Sequence, residues 1–284
     1  MKNPFVTINR LRAQYRSKRF LIRELIRSRF TTSTPLKILF SARDGWVEPL
    51  ARKFSLTRHQ VTFGDIQNSP LDHYDLVIPL DMKDVRFLSA RRSRMRNLIP
   101  IPRLEAIDLC DDKLKFHEHL GDRGFGKWLP RTGATTAHPY VLKKRIDEAG
   151  EHCHIVTTTH QELALATQLS KKDYFQQEYI PGRYVFASHI LYLGGRIVYA
   201  LDVEYSYNTD FPINSKTEPA LMMIRPCSWT SLFSDMLASI GYEGLCCVDY
   251  KMRDGEPVVL EINPRLGRSA TGYFFAFLNH LPSR

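Results

Sequence analysis

The residues best suited to chemistry lie in one stretch, 245–268, which holds Asp249, Glu261, Asn263, Arg265 and Arg268. Two apolar runs, 244–252 and 257–262, flank Asp254 and Gly255, a pattern that predicts a tight hairpin. Folding the hairpin brings Asp249 opposite the segment of Glu261 and Asn263. Those two are two residues apart and share one side of an extended strand. That side gathers two carboxylates and an amide oxygen, hard donors that suit magnesium when phosphate oxygens complete its shell. The alternative is a structural acid cluster at a sheet edge. Two unpaired carboxylates a few ångströms apart repel each other, so a cation beside them is expected.

Four more motifs precede this stretch. Asp112 and Lys113 open a helical segment. Pro139 leads into Tyr140, Val141, Leu142 and Lys143. Gln177 begins the run Gln-Glu-Tyr-Ile-Pro-Gly that ends at Gly182, and Gly241 and Gly244 bracket Tyr242 and Glu243. With an acid on one strand and E-x-N-x-R on the next, the chain resembles the ATP-grasp family over about 109–270. Asp112-Lys113 resembles the D-K that starts the ATP-grasp region, and 139–143 its P-x-V-x-K strand. The run 177–182 resembles its hinge, and 241–244 its G-x-x-G lead into the metal strands.

The resemblance implies roles. Lys113 and Lys143 reach the α- and β-phosphates of ATP. Gln177, Glu178 and Ile180 line the adenine. Asp249, Glu261 and Asn263 hold one or two magnesium ions, with manganese as the alternative and Glu261 as the bridge. Arg265 faces the γ-phosphate or the acceptor and, with Lys143, is assigned to catalysis. Arg268 and Arg225 are candidates for the acceptor. The turn after Lys143, residues 144–155, falls where the family has a lid. It is polar, contains one glycine, Gly150, and shows no obvious ordering contacts. Where relatives carry an acid for the ribose, this chain has Arg183 and Tyr184, so Asp202 or Glu204 on the following strand is the substitute candidate. The segment 206–225, with Asp210, Lys216, Glu218 and Arg225, is either an acceptor loop or a solvated connection.

The chemistry implied is ligation. A carboxylate is inert to amines because oxide leaves poorly. Phosphorylating it from ATP gives an acyl phosphate, which an amine displaces to form an amide, with ADP and phosphate released. A lid must exclude water from that intermediate. The expected partners are small-molecule carboxylates and amines. The alternative is a phosphotransferase of the same fold with a stable phosphorylated product. Little chain follows Leu278, so a biotin-dependent carboxylase is not expected. No GxSxG elbow and no convincing Cys–His pairing suggests a protein nucleophile.

Positioning these residues needs an α/β frame. Strands at 36–42, 61–63 and 74–80 alternate with a helix at 47–54, which predicts a small parallel unit. The expected division is a basic N-terminal segment and linker over 1–35, a small parallel α/β domain over 36–108, and a two-lobed α+β ATP-grasp domain over 109–284. No GxGxxG follows the first strand, which argues against dinucleotide binding there.

The net charge of +10 is local. Residues 1–30 hold nine Lys or Arg against Glu24 alone, which leaves 31 basic and 29 acidic residues elsewhere. A nucleic-acid protein carries its charge on the fold, so no specific nucleic acid is expected. Apolar residues at loosely helical spacing among the arginines suggest peripheral contact with a membrane or a protein. With no apolar h-region at the N-terminus and five cysteines without a CxxC pair, a cytoplasmic enzyme with reduced thiols, membrane-peripheral at most, is expected. His152, Cys153 and His154 lack a second ligand pair and are read as loop or strand.

Overall fold

The computed structural model describes residues 4–31, 34–133, 137–148, 150–214 and 216–281. Thr32 and Ser33 of the expected linker lie outside them. The chain opens with α1 (Pro4–Thr31). A parallel sheet of order β2-β1-β3 follows, built from β1 (Lys37–Ser41), β2 (Gln60–Gly64) and β3 (Leu76–Ile78). Between β1 and β2 runs α2 (Val47–Phe54), whose Leu50 and Phe54 sit one turn apart and are buried. Phe54 meets Phe40 of β1 edge to face at 5.5 Å.

Two helices went unread in the sequence, α3 (Met82–Ser89) and α4 (Leu104–Asp111). Asp81 caps α3, its carboxylate accepting from the Asp84 amide at 2.8 Å. Asp112 caps α5 (Lys113–Leu120) in the same way, accepting from the Lys115 amide at 3.2 Å.

The rest forms two antiparallel sheets. The smaller has order β5-β4-β6, from β4 (Tyr140–Lys144), β5 (Cys153–Val156) and β6 (Tyr174–Glu178). One face, with Tyr140, Leu142 and Val156, forms a small core with residues near α6 (Thr159–Ala164) and α7 (Ala166–Leu169). Lys143, Phe175 and Gln177 take the other face. The larger sheet has order β11-β10-β7-β8-β9, from β7 (Tyr184–Leu193), β8 (Arg196–Ser206), β9 (Leu221–Pro226), β10 (Gly244–Arg253) and β11 (Glu256–Asn263). α8 (Thr230–Ser239) covers one face, where Phe233 meets Tyr250 at 5.4 Å. The segment 221–225, read as part of a loop, is therefore edge strand.

The two units share a core. Phe274, Phe275, Phe277 and Leu278, from the end of a 3-10 turn and α9 (Phe275–Leu278), pack with Phe40 and Phe54 of the first unit and Leu201 of the large sheet. The lead into β10 is also fixed there. Gly244 has φ +105°, and a Cβ on it would lie 2.1 Å from the Pro100 carbonyl oxygen. All five cysteines are unpaired, and Cys110, Cys246 and Cys247 are buried.

Candidate active site

The hairpin does what its spacing promised. Asp249 of β10 pairs with Glu261 of β11, and Cys247 with Asn263, so the three donors share a face. The Asn263 amide nitrogen donates to Asp249 Oδ2 and to Glu261 Oε1, each at 3.2 Å. The amide group turns its N–H toward the two acids. A rotation about the last side-chain bond presents its oxygen instead. The carboxylates are unequal. Burial, then the neighbouring Glu261 charge, pushes Asp249 up to about 8. Burial raises Glu261 too, but Lys113 and Lys143 outweigh it and hold this carboxyl well below its ordinary value. A half-buried acid pair of hard oxygens, with an amide oxygen available beside it, fits magnesium.

Cations approach from two elements. Lys113, at the first turn of α5, places Nζ 3.6 Å from Glu261 Oε2 and donates to the Asp147 carbonyl at 2.7 Å. Lys143 is buried on the inner face of β4, with Nζ 5.9 Å from the Phe175 ring centre. Burial lowers its pKa and the Glu261 charge opposes that. Below them, His117 was not foreseen. Its Nε2 lies 3.0 Å from the Leu260 carbonyl, and burial followed by the Lys143 charge lowers it to about 4, so it is neutral. A histidine inside a helical run carries no sequence signal of that contact.

At the hinge, Gln177 and Ile180 are buried, and Gln177 Oε1 has no hydrogen-bond partner. An orphaned buried acceptor beside Phe175 suits an exocyclic amino group such as that of adenine. Glu178 points elsewhere. Its carboxylate accepts from Arg253 at 3.1 Å and from the Arg131 amide at 3.0 Å, so its side chain is engaged away from the adenine expected of it. Lys251, unforeseen as well, donates to the Gly182 carbonyl at 2.7 Å and fastens the hinge to β10.

Three expectations are corrected by strand parity. Asp202 pairs with Ser188 across β8 and β7, and Ser188 with Val248, so Asp202 lies on the face opposite Asp249. It accepts from Ser188 and from Tyr250 Oη, the latter at 2.8 Å, and cannot serve a ribose on the side of Asp249 and Glu261. Glu204 shares that face and is paired with Arg225 at 2.7 Å. Arg225 is thereby removed from the acceptor as well. Arg268, by contrast, reaches the first unit, where a Cβ on Gly45 would lie 3.3 Å from its Nη2.

The turn of residues 144–155 is better tied than its sequence suggested. Asp112 pairs with Arg145 at 2.7 Å. Asp147 accepts from the His152 amide at 2.9 Å, and Lys216 donates to the carbonyls of Glu151 and Cys153. The Asp112–Arg145 and Lys216 ties join partners remote in sequence, whereas Asp147 and His152 are five residues apart.

This arrangement, two sheets enclosing lysines, a hinge, two carboxylates and an amide, is that of an ATP-grasp enzyme. The ATP-grasp domain family matches residues 110–269, and the chain belongs to that family. Solved structures share the fold at low identity. The D-alanine–D-alanine ligase from Bacillus anthracis complexed with ATP is 13% identical, with 82% of this chain and 87% of that chain covered and a TM-score of 0.56. The L-amino acid ligase from Bacillus licheniformis is 15% identical, covering 86% and 70%, at 0.59. Phosphoribosylamine–glycine ligase from Thermotoga maritima is 16% identical, covering 83% and 70%, at 0.62. No curated protein sequence matches the chain.

Proposed function

We propose that this protein is an ATP-dependent carboxylate–amine ligase that makes an acyl phosphate from a small carboxylate and then an amide. The observation that carries the reading is the convergence of Lys113, Lys143 and Arg265 on the acid pair Asp249 and Glu261. Such a set stabilises charge that builds on a transferring γ-phosphoryl group and offers no protein nucleophile. Lys113 and Lys143 grip the phosphates, Gln177 accepts from the adenine amino group, and Ile180 packs against the base. Asp249, Glu261 and Asn263 would hold magnesium, which would supply neutralisation of the charge on the phosphates. Arg265 orients the acceptor carboxylate for attack on the γ-phosphorus. The 144–152 turn excludes water while the acyl phosphate awaits its amine.

The test is product analysis after incubation with ATP, magnesium and pooled amino acids. ADP, phosphate and a new amide mass are expected. ADP with a stable phosphorylated product moves the assignment to a phosphotransferase. AMP with pyrophosphate defeats the mechanism, because the α-phosphorus would then be the centre attacked.

We also infer that α1 is a contact helix for an anionic membrane surface. Leu11, Tyr15, Ile22 and Ile26 are exposed and recur at helical spacing on one face, and Arg12, Arg16, Arg19 and Arg23 run alongside them. No described helix is long and apolar enough to cross a membrane.

A further inference from the structure

The first unit meets the site at the carboxyl ends of its parallel strands. In the order β2-β1-β3 the winding reverses between β1 and β3, and ligand crevices form outside such a reversal. Arg43, two residues past β1, occupies this crevice. It donates from Nη1 to the Leu80 carbonyl, just past β3, at 2.6 Å, and its guanidinium lies 4.7 Å from the Trp46 ring centre. Arg265, leaving β11, brings a second guanidinium to within 5.6 Å of the same ring. Its Nε is buried and has no hydrogen-bond partner. Arg268 closes on the adjoining Gly45.

Guanidiniums gathered on one turn repel and call for an anion. A carboxylate of the protein itself now fills that role. Glu148, in the turn between β4 and β5, accepts from Arg43 Nη2 at 2.8 Å. Its side chain is 41% exposed and that of Arg43 21%, so a solvent-facing acid reaches in onto a half-buried cation. Glu148 also lines the crevice that holds Lys113, Glu261 and Asn263. The acid therefore bridges the turn over the phosphates and the first unit, a contact 105 residues apart in sequence.

We propose that Arg43 and Arg265 form an anion subsite for a carboxylate of the acceptor, and that Glu148 holds this subsite until the acceptor displaces it. The proposal rests on the ligase reading of the same cleft and adds to it the group by which the acceptor is recognised. A guanidinium can meet a carboxylate through two parallel N–H groups, and the Trp46 ring lies against both cations. Displacing Glu148 removes one tie between the turn and the first unit, so acceptor binding and turn position are linked.

Trp46 supplies a local probe. In a chain carrying W128F and W229F, its emission is followed while sodium succinate is added in the presence of magnesium and a non-hydrolysable ATP analogue. A saturable change is expected with succinate and none with succinamide. Glu148→Gln should bind succinate about two- to fivefold more tightly, the worth of one half-exposed ion pair. Arg43→Gln should weaken binding about tenfold, as loss of a charge-assisted fork does, with Arg43→Lys intermediate and circular dichroism showing that each variant is folded. No saturable change, or equal affinity in Glu148→Gln, Arg43→Gln and the parent, overturns the subsite. ADP formation with pooled amino acids is read in parallel. ADP without succinate saturation refutes the subsite and leaves the ligase reading. Saturation without ADP refutes the ligase reading and leaves the subsite.

Discussion

Glu261 stands between the two lysines and Asp249. Lys113 and Lys143 both act on its carboxylate, and Asn263 donates to it. Glu261→Gln keeps the shape and removes the charge, so turnover should fall on the order of 10²- to 10³-fold, the cost of losing one preorganised electrostatic partner. Thermal-shift titration gives the binding half. ATP with magnesium should stabilise the parent more than ATP with EDTA, and the difference should vanish in the variant. A second residue sets the acid limit of the fold. His189 is fully buried, with Nε2 2.7 Å from Ser269 Oγ, and burial, then the Arg265 charge, lowers it to about 3. Between pH 3 and 6.5 the unfolded chain binds a proton there and the folded chain does not. Stability is therefore complete above about 6.5 and falls as the pH drops toward 3, by about 2–3 kcal/mol at pH 4.5 from this group. Urea unfolding of His189→Gln across that window should show a shallower loss than the parent.

Among the elements, the hairpin of β10 and β11 was legible because its chemistry is local. Asp249, Glu261 and Asn263 are fixed by strand parity and one turn, and both can be read from fifteen consecutive residues. The strands at the ends of the lid and the hinge were legible for the same reason. Asp202, Glu204 and Arg225 were not, because which face of β8 shares the side of Asp249 depends on its pairing with β7, which composition does not reveal. Arg43 and His117 were missed for a related reason, since their partners, Glu148 and Leu260, are remote in sequence. The G-x-x-G lead gains a structural cause. Gly244 combines a left-handed φ with a backbone carbonyl where a side chain would be, so Gly244→Ala should cost about 2–4 kcal/mol, through strain and displacement of Pro100 together. A melting temperature within a degree or two of the parent would show that the segment before α4 gives way freely, contrary to this packing.

At the scale of the molecule, α1 has two faces with separate duties. Phe20, Leu21 and Leu25 pack on the shared core, Phe20 meets Tyr273 at 5.9 Å, and Glu24 is buried beside them. The basic segment is thus docked along its second half rather than standing apart from the fold. Removing residues 1–33 should lower the melting temperature by uncovering Tyr199 and Tyr273 while ATP turnover in solution persists. A folded but inactive product would make the helix part of the catalytic body. The outward face carries the membrane reading. Four arginines, Arg12, Arg16, Arg19 and Arg23, lie exposed beside the stripe of Leu11, Tyr15, Ile22 and Ile26. Each basic residue near an anionic bilayer contributes about 1 kcal/mol, so replacing all four by Gln should weaken binding on the order of 10²- to 10³-fold. The full chain should sediment with vesicles of phosphatidylserine and phosphatidylcholine, be released by high salt, and ignore phosphatidylcholine alone. Leu11→Ser with Ile22→Ser should weaken it further without changing the salt dependence, since apolar burial is unscreened. If the four-arginine variant sediments as the parent does, or if α1 instead holds two chains together in solution, the outward stripe serves a protein contact and the lipid assignment falls.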